Sequence, residues 1–218
     1  IGTVNTAETS MEQLSAMMVG RNVNFHVEKQ PKTPGKVILK VENMTVASKL
    51  HKNNAVRNVS FDVREGEIVC IAGIDGNGQT ELVYGLTGLE PLAGGKITLM
   101  GDNITHASIR KRSKDGISHI PEDRHKHGLV LDYSLEDDIV LQRYFESDFT
   151  QFGFLRRKQI RGYAEQLIEQ YDIRSGQGPV TMARSMSGGN QQKAIVVSEI
   201  VRDPKLLTAG QITCGREG

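Results

Sequence analysis

Residues 67–86 constrain the fold of this chain more than any other stretch. They open with an apolar run, Ile68-Val69-Cys70-Ile71-Ala72. The chain continues through Gly73-Ile74-Asp75-Gly76-Asn77-Gly78-Gln79-Thr80 and resumes with Glu81-Leu82-Val83-Tyr84. The run reads as a strand buried on both faces. Glycines then let the backbone curl so that several N–H groups converge, and the helix start adds the positive end of its dipole. A phosphate chain fits such a turn. The pattern for nucleoside triphosphates is G-x-x-x-x-G-K-[ST]. Gly73, Gly78 and Thr80 fit it, whereas Gln79 stands where the lysine belongs. A tight strand-to-helix turn with no ligand is the plainer alternative for this stretch taken alone.

The chain has 218 residues, enough for one domain and a tail, and its 38% hydrophobic content supplies a core. A net charge of +1 gives no bulk electrostatic case for nucleic acid. Cys70 and Cys214 lie far apart, with no zinc spacing or disulfide framework, which points to a reducing compartment. Cys70, inside the apolar run, is expected to be a small core residue. No apolar stretch approaches the roughly 18 residues of a membrane span, and no signal-peptide pattern opens the chain. A membrane role would come through a partner subunit.

Residues 1–36 read as the tail of a preceding domain plus a linker. A short helix follows Thr9-Ser10, with Leu14, Met17 and Met18 on one face and Gly20 as its stop. Pro31, Pro34 and Gly35 are linker chemistry. Residues 37–218 form the main domain. Strands are expected over 37–45, 55–63 and 96–100, a loop over 87–95, a basic short helix over 107–114 and a strand over 116–120. The charged segment Pro121-Glu122-Asp123-Arg124-His125-Lys126-His127-Gly128 follows that strand, where parallel sheets place ligand contacts. A capped helix is expected over 134–141, an irregular aromatic segment over 145–157, an amphipathic helix over 159–171 and a strand over 206–209. Antiparallel-looking strands precede the glycine loop and strands alternate with helices after it, so the fold is α/β with a β-rich side.

Ser187-Gly188-Gly189-Asn190-Gln191-Gln192-Lys193 opens another helix. Its N-terminus offers free N–H groups, a hydroxyl and a positive dipole end. A simple N-cap by Ser187 accounts for those residues alone. Together with the glycine loop, however, the motif resembles the signature of ABC-type ATPases. Joined to Pro121-Glu122-Asp123-Arg124, it resembles the second, C-terminal ATP-binding domain of sugar- and nucleoside-type ABC importers. The resemblance implies a P-loop NTPase fold, an ABC-type ATPase domain with an antiparallel β side. A helical subdomain is expected near residues 134–186 and a C-terminal truncation. It implies ATP and Mg2+ as ligands, a second ATPase domain paired head to tail, and transmembrane permease subunits at the cytoplasmic face of the membrane. Within the family the lettering is nearest to nucleoside importers.

By the same resemblance, Gly73, Asp75, Gly76, Asn77, Gly78, Gln79, Thr80 and Glu81 would line the nucleotide, with Thr80 on Mg2+. Ser187, Gly188, Gly189, Asn190 and Gln191 would act in trans on the partner's site. The departures cluster at one place. Gln79 lacks the lysine's charge, and the family's Asp-Glu at the end of the Walker B strand becomes Gly210-Gln211. Hydrolysis needs those charges. The sequence ends before the position of a switch histidine. Glu122 lies near the position of a glutamine that senses Mg2+ and is the one candidate catalytic carboxylate; an ion pair with Arg124 is its plainer reading. The site of this domain is therefore expected to be degenerate, with the chain alone weak or inactive as an ATPase, and its signature motif to complete a partner's site. The alternative is a nucleotide-binding or dimerisation module that does not hydrolyse. His51 is a weak candidate to stack on adenine. The histidines 125 and 127 and the basic run 110–114 read as solvated. Phe145, Phe149, Phe152 and Phe154 read either as a docking surface or as core.

Overall fold

The computed structural model describes residues 3–5, 9–19, 33–48, 53–74 and 76–210. The chain divides into two units, residues 1–34 and 35–218. In the smaller unit, α1 (Met11–Val19) starts at a reciprocal capping box. The Ser10 Oγ accepts from the Gln13 N–H at 3.3 Å, and the Gln13 Oε1 accepts from the Ser10 N–H at 3.1 Å. Gly20, its expected stop, lies outside the described residues, as do His51, Asp75, Gln211 and Cys214.

In chain order the larger unit runs β1 (Val37–Ala47), β2 (Asn54–Arg64), α2 (Gln79–Thr87), β3 (Leu92–Leu99), β4 (Asp102–Asn103) and α3 (Ile109–Lys114). It continues with β5 (Ile117–Ile120), α4 (Leu135–Val140), β6 (Thr150–Gln151), β7 (Phe154–Leu155), α5 (Arg157–Gln170), α6 (Gly188–Ile200) and β8 (Leu206–Ala209). The first four strands form an antiparallel sheet in the order β2-β1-β3-β4, while β5 and β8 pair in parallel. Alternation buries Leu39 and Val41 on β1. The left-handed Asn43 (φ 49°) then shifts the register, so that Met44 and Val46 are the next to point inward. α2 lays Leu82 and Leu86 on this face. A Cβ at Gly85 would reach 2.3 Å from the Met44 Cε, so the missing side chain sets the close helix–sheet approach.

A second core joins α4, α5 and α6 through Leu135, Ile139, Ile160, Ala164, Leu167, Ala194 and Val197. α6 ties this core to β5 on its other side. The buried Glu199 accepts the His119 N–H at 3.2 Å and the Gln142 amide at 2.6 Å, and the Ser118 hydroxyl donates to the Glu199 carbonyl at 3.0 Å.

Several expectations need correction. Residues 68–72 form no strand and lie exposed, Ile68 at 86%. A strand needs a neighbouring strand to take its backbone hydrogen bonds, and among the described residues none pairs with this run. Cys70 is consequently exposed rather than core. Part of the expected 87–95 loop belongs to β3, and the irregular aromatic segment contains the β6–β7 hairpin. The aromatics divide: Phe149 is buried in the helical core, while Phe152 and Phe154 are exposed on the hairpin. Within the basic run, Arg112 is 2% exposed. Its guanidinium donates to the carbonyls of Gly85, Leu86, Thr105 and Ala107, two of them at the C-terminal end of α2, where a cation is favoured.

Candidate functional site

The site begins where α2 starts. Gly78 precedes the helix with φ +96°, and a Cβ there would lie 2.7 Å from the Ala55 carbonyl oxygen. Only glycine satisfies both conditions. The Asn77 N–H donates to the Ile74 carbonyl at 3.2 Å, which closes the loop, and Gly76 is also left-handed. Gln79 turns back into the loop: its Nε2 donates to the Ile74 carbonyl at 3.2 Å and occupies the space in front of the Gly73 Cα. A lysine in the same place would carry its charge toward a phosphate. The glutamine amide instead spends a donor on the loop's own backbone. Glu81 lies in the first turn of α2.

The Thr80 hydroxyl, one residue on, donates to the Glu122 Oε2 at 3.4 Å. Glu122 stands just past β5, beside the end of β8. The Gly210 N–H donates to the Ile120 carbonyl at 2.9 Å, and a Cβ on Gly210 would meet the Glu122 N at 3.1 Å and its Cβ at 3.2 Å. Glu122 therefore crowds the place where an aspartate at position 210 would project. Its carboxylate and the Thr80 hydroxyl form an oxygen pair of the kind a Mg2+ ion takes, with phosphates and water supplying the rest. Among the described residues no group of three or more His, Cys, Asp or Glu side chains is placed to hold a metal alone.

Below this, His119 is half-buried on β5. The Thr208 hydroxyl donates to the Ser118 carbonyl at 3.2 Å, so it receives the Nδ1 proton of His119 at 3.0 Å. Burial holds this imidazole neutral, with its pKa below the usual value.

From Glu122 the chain enters a single π-helical turn, Arg124–Gly128. Asp123 caps it, its Oδ1 accepting the N–H groups of His125 and Lys126 at 3.0 Å each. Those donors, Lys126 first, hold its carboxyl below the ordinary range. The turn leans on α6. The Arg124 guanidinium would lie 2.9 Å from a Cβ at Gly188. The His125 Nε2 lies 3.0 Å from the Gln191 Oε1, and the buried Gln191 amide donates to the Ala183 carbonyl at 2.9 Å. His127 packs edge-on against Tyr84 of α2 at 5.5 Å. The two histidines are exposed at the surface yet partnered, which their charged sequence neighbourhood did not reveal.

The first turn of α6 carries the motif Ser187-Gly188-Gly189-Asn190-Gln191. Ser187 is the exposed N-cap, in extended conformation, and its carbonyl accepts the N–H groups of Asn190 and Gln191 at 2.9 Å. Its hydroxyl makes no backbone cap; it accepts from the Asn190 Nδ2 at 2.8 Å. The glycine loop and this motif thus meet through one short segment: Glu122 touches α2, and Arg124 and His125 touch α6.

Residues 56–210 match the model of the ABC transporter family. The chain belongs to that family. It is 44% identical over 215 residues to the guanosine import ATP-binding protein NupO of Bacillus subtilis, and 42% identical over 215 residues to the nucleoside import ATP-binding protein NupA of Lactococcus lactis. The ribose import ATP-binding protein RbsA of Bacillus licheniformis is 34% identical over 218 residues. These alignments take in 99% of this chain but 42% of each relative. The chain therefore spans less than half the length of the curated relatives it matches. Two solved ATP-binding cassettes share its fold. One, a dimer bound to ADP and phosphate, superposes with a TM-score of 0.67 at 19% identity, over 83% of this chain and 77% of its own. The other, nucleotide-free, gives 0.64 at 17% identity over 84% and 72%. The ABC family, the P-loop α/β fold and the antiparallel side agree with the sequence reading. No helix among the described residues is long and apolar enough to cross a membrane.

Proposed function

We propose that this chain is an ATP-binding domain of an importer for nucleosides or simple sugars, and that it couples ATP binding and hydrolysis to transport. It works with a second cassette, on the same polypeptide or in a head-to-tail dimer, and with transmembrane permease subunits at the cytoplasmic face of the membrane. Its place is that of the second, C-terminal cassette, with residues 1–36 as the tail of the first plus a linker. The names of the relatives support the importer reading and the nucleoside or sugar substrate class.

Within that assembly, the domain's own phosphate site is degenerate and its signature helix completes the partner's site. One contrast carries this reading. Gln79 is folded onto Ile74 and Gly210 lies against Glu122, whereas Ser187 stands exposed at an open helix N-terminus. The loop formed by Gly73, Asp75, Gly76, Asn77, Gly78 and Gln79, with Thr80 and Glu81 on α2, still shapes a nucleotide site. Its backbone N–H groups and helix dipole favour phosphate. Mg2+ bound there would be held by the Thr80 hydroxyl and the Glu122 carboxylate with the nucleotide's own oxygens, and would offset phosphate charge. No carboxylate remains at position 210 to help hold the metal, nor at position 211 to orient water. Gly188 and Gly189 would present their N–H groups to a phosphate held by the partner's loop, with Ser187 donating its hydroxyl.

Three measurements test the reading. Fluorescent ATP binding and phosphate release on this chain are expected to give binding without turnover. Gln79→Lys is expected to leave turnover of the complete ATPase within about 2-fold. Ser187→Arg is expected to abolish it, because an extended cation displaces the hydroxyl from the phosphate. Robust turnover by the chain alone, or an unaffected Ser187→Arg protein, overturns the assignment. Binding together with an unaffected Ser187→Arg protein favours the plain nucleotide-binding module.

A further inference from the structure

We infer that Asn190 is a positioning residue that sets the direction of the Ser187 hydroxyl, turning it into an obligatory donor toward an anion at the tip of α6. The inference rests on the reading of α6 as the element that completes a partner's phosphate site, and it adds a role that the motif's spacing does not supply.

The orientation of the Asn190 amide follows from its neighbours. The Arg174 backbone N–H, in the loop after α5, is 2.8 Å from the Asn190 Oδ1. A backbone N–H can only donate, so the oxygen of the amide must face Arg174. The Nδ2 then faces the Ser187 Oγ at 2.8 Å, and an amide nitrogen can only donate. One lone pair of the hydroxyl is thereby occupied, and its proton must point elsewhere. The backbone offers that proton no competing role, because Ser187 makes no side-chain cap to its own helix. Ser187 is exposed and Asn190 half-buried, so the free O–H is directed outward at the N-terminus of α6, beside Arg124. The serine of a bare N-cap would rotate between donating and accepting. Here the Arg174–Asn190–Ser187 chain narrows that freedom before any ligand arrives, which lowers the ordering cost of binding.

The test uses the complete ATPase, with this chain joined to its second cassette, and reads KM for ATP and kcat separately. Asn190→Ala is expected to lower kcat/KM about 10-fold, the scale of one hydrogen bond to a charged group. Asn190→Asp keeps an acceptor for Arg174 but takes the Ser187 proton and adds negative charge, so a loss of about 100-fold or more is expected. It also covers the case in which the alanine variant folds poorly. The decisive measurement is the double-mutant cycle. In a Ser187→Ala background, Asn190→Ala is expected to cost nothing further. If Ser187→Ala impairs the enzyme and Asn190→Ala costs the same with or without the hydroxyl, Asn190 is only a structural brace and the inference falls. If Ser187→Ala has no effect, the inference falls together with the reading of α6 beneath it.

Discussion

Asp138→Asn should make the protein more stable at neutral pH. Asp138 lies in α4 and is 8% exposed. Its Oδ1 accepts the Val130 N–H at 2.9 Å, and its Oδ2 is buried without a partner. Burial raises its pKa from 3.8 to about 6, with the Val130 N–H opposing the rise and Asp137 adding to it. The folded protein thus binds this proton more tightly than the unfolded chain. Stability is greatest below the unfolded value, and the cost grows as pH climbs through about 6. At pH 7.5 the ionised carboxylate costs about 3 kcal/mol relative to the neutral acid. Asparagine imitates the neutral acid but leaves an amide N–H where Oδ2 was, which gives back about 1–2 kcal/mol. The expected net gain is about 1–2 kcal/mol at pH 7.5. It should shrink by about 1.5 kcal/mol at pH 5, where the native aspartate is largely protonated. Urea denaturation of both proteins at the two pH values measures the difference. An advantage that does not change with pH, or a variant less stable by the same amount at both, would refute the argument.

Three other substitutions probe the frame. Arg112→Met keeps much of the bulk but leaves four carbonyls without their donor, so a loss of about 3 kcal/mol is expected in urea denaturation. Gly78→Ala forces a Cβ onto the Ala55 carbonyl at an unfavourable φ; a cost of about 1–3 kcal/mol and weakened nucleotide binding are expected by calorimetry. Ile160→Ala empties the centre of the helical core, with an expected loss of about 2–5 kcal/mol in thermal or chemical unfolding.

The elements whose pattern is local were legible from the residues. α5 announces itself through Ile160, Ala164 and Leu167 on one face, and β1 and β2 through their alternation. The start of α6 follows from Ser187 and two glycines. The apolar run 68–72 was misjudged because a strand depends on neighbouring strands for its ladder and on packed layers for its burial, and hydrophobicity alone supplies neither. Arg112 was misread for a related reason. Charge in a basic run says nothing of the four carbonyls that converge on one member of it, two of them from a helix more than twenty residues away in sequence. At the candidate site, Gln79 in place of the motif's lysine and the glycine at position 210 could be read directly. The retreat of Gln79 into its own loop and the packing of Glu122 against Gly210 could not. Each depends on which way a side chain turns once the backbone is built. The seating of His125 on Gln191 likewise joins residues 66 positions apart.

The parallel pairing of β5 with β8 has a kinetic consequence. Ser118 and Thr208, hydrogen-bonded across it, are 90 residues apart, and the whole of α4, α5 and α6 lies between them. The antiparallel sheet closes over shorter spans, the longest of them from β1 to β3, but this pair must bring together the ends of a still longer intervening segment, and the entropy of doing so is lost before the contact is formed. If α4, α5 and α6 collapse onto their own core first, they shorten that span and bring β8 back to β5. On that order of events Gly210 reaches Glu122 last, and the candidate phosphate site is among the final parts of the molecule to take shape. A weakened helical core would then slow assembly of a site built from other elements.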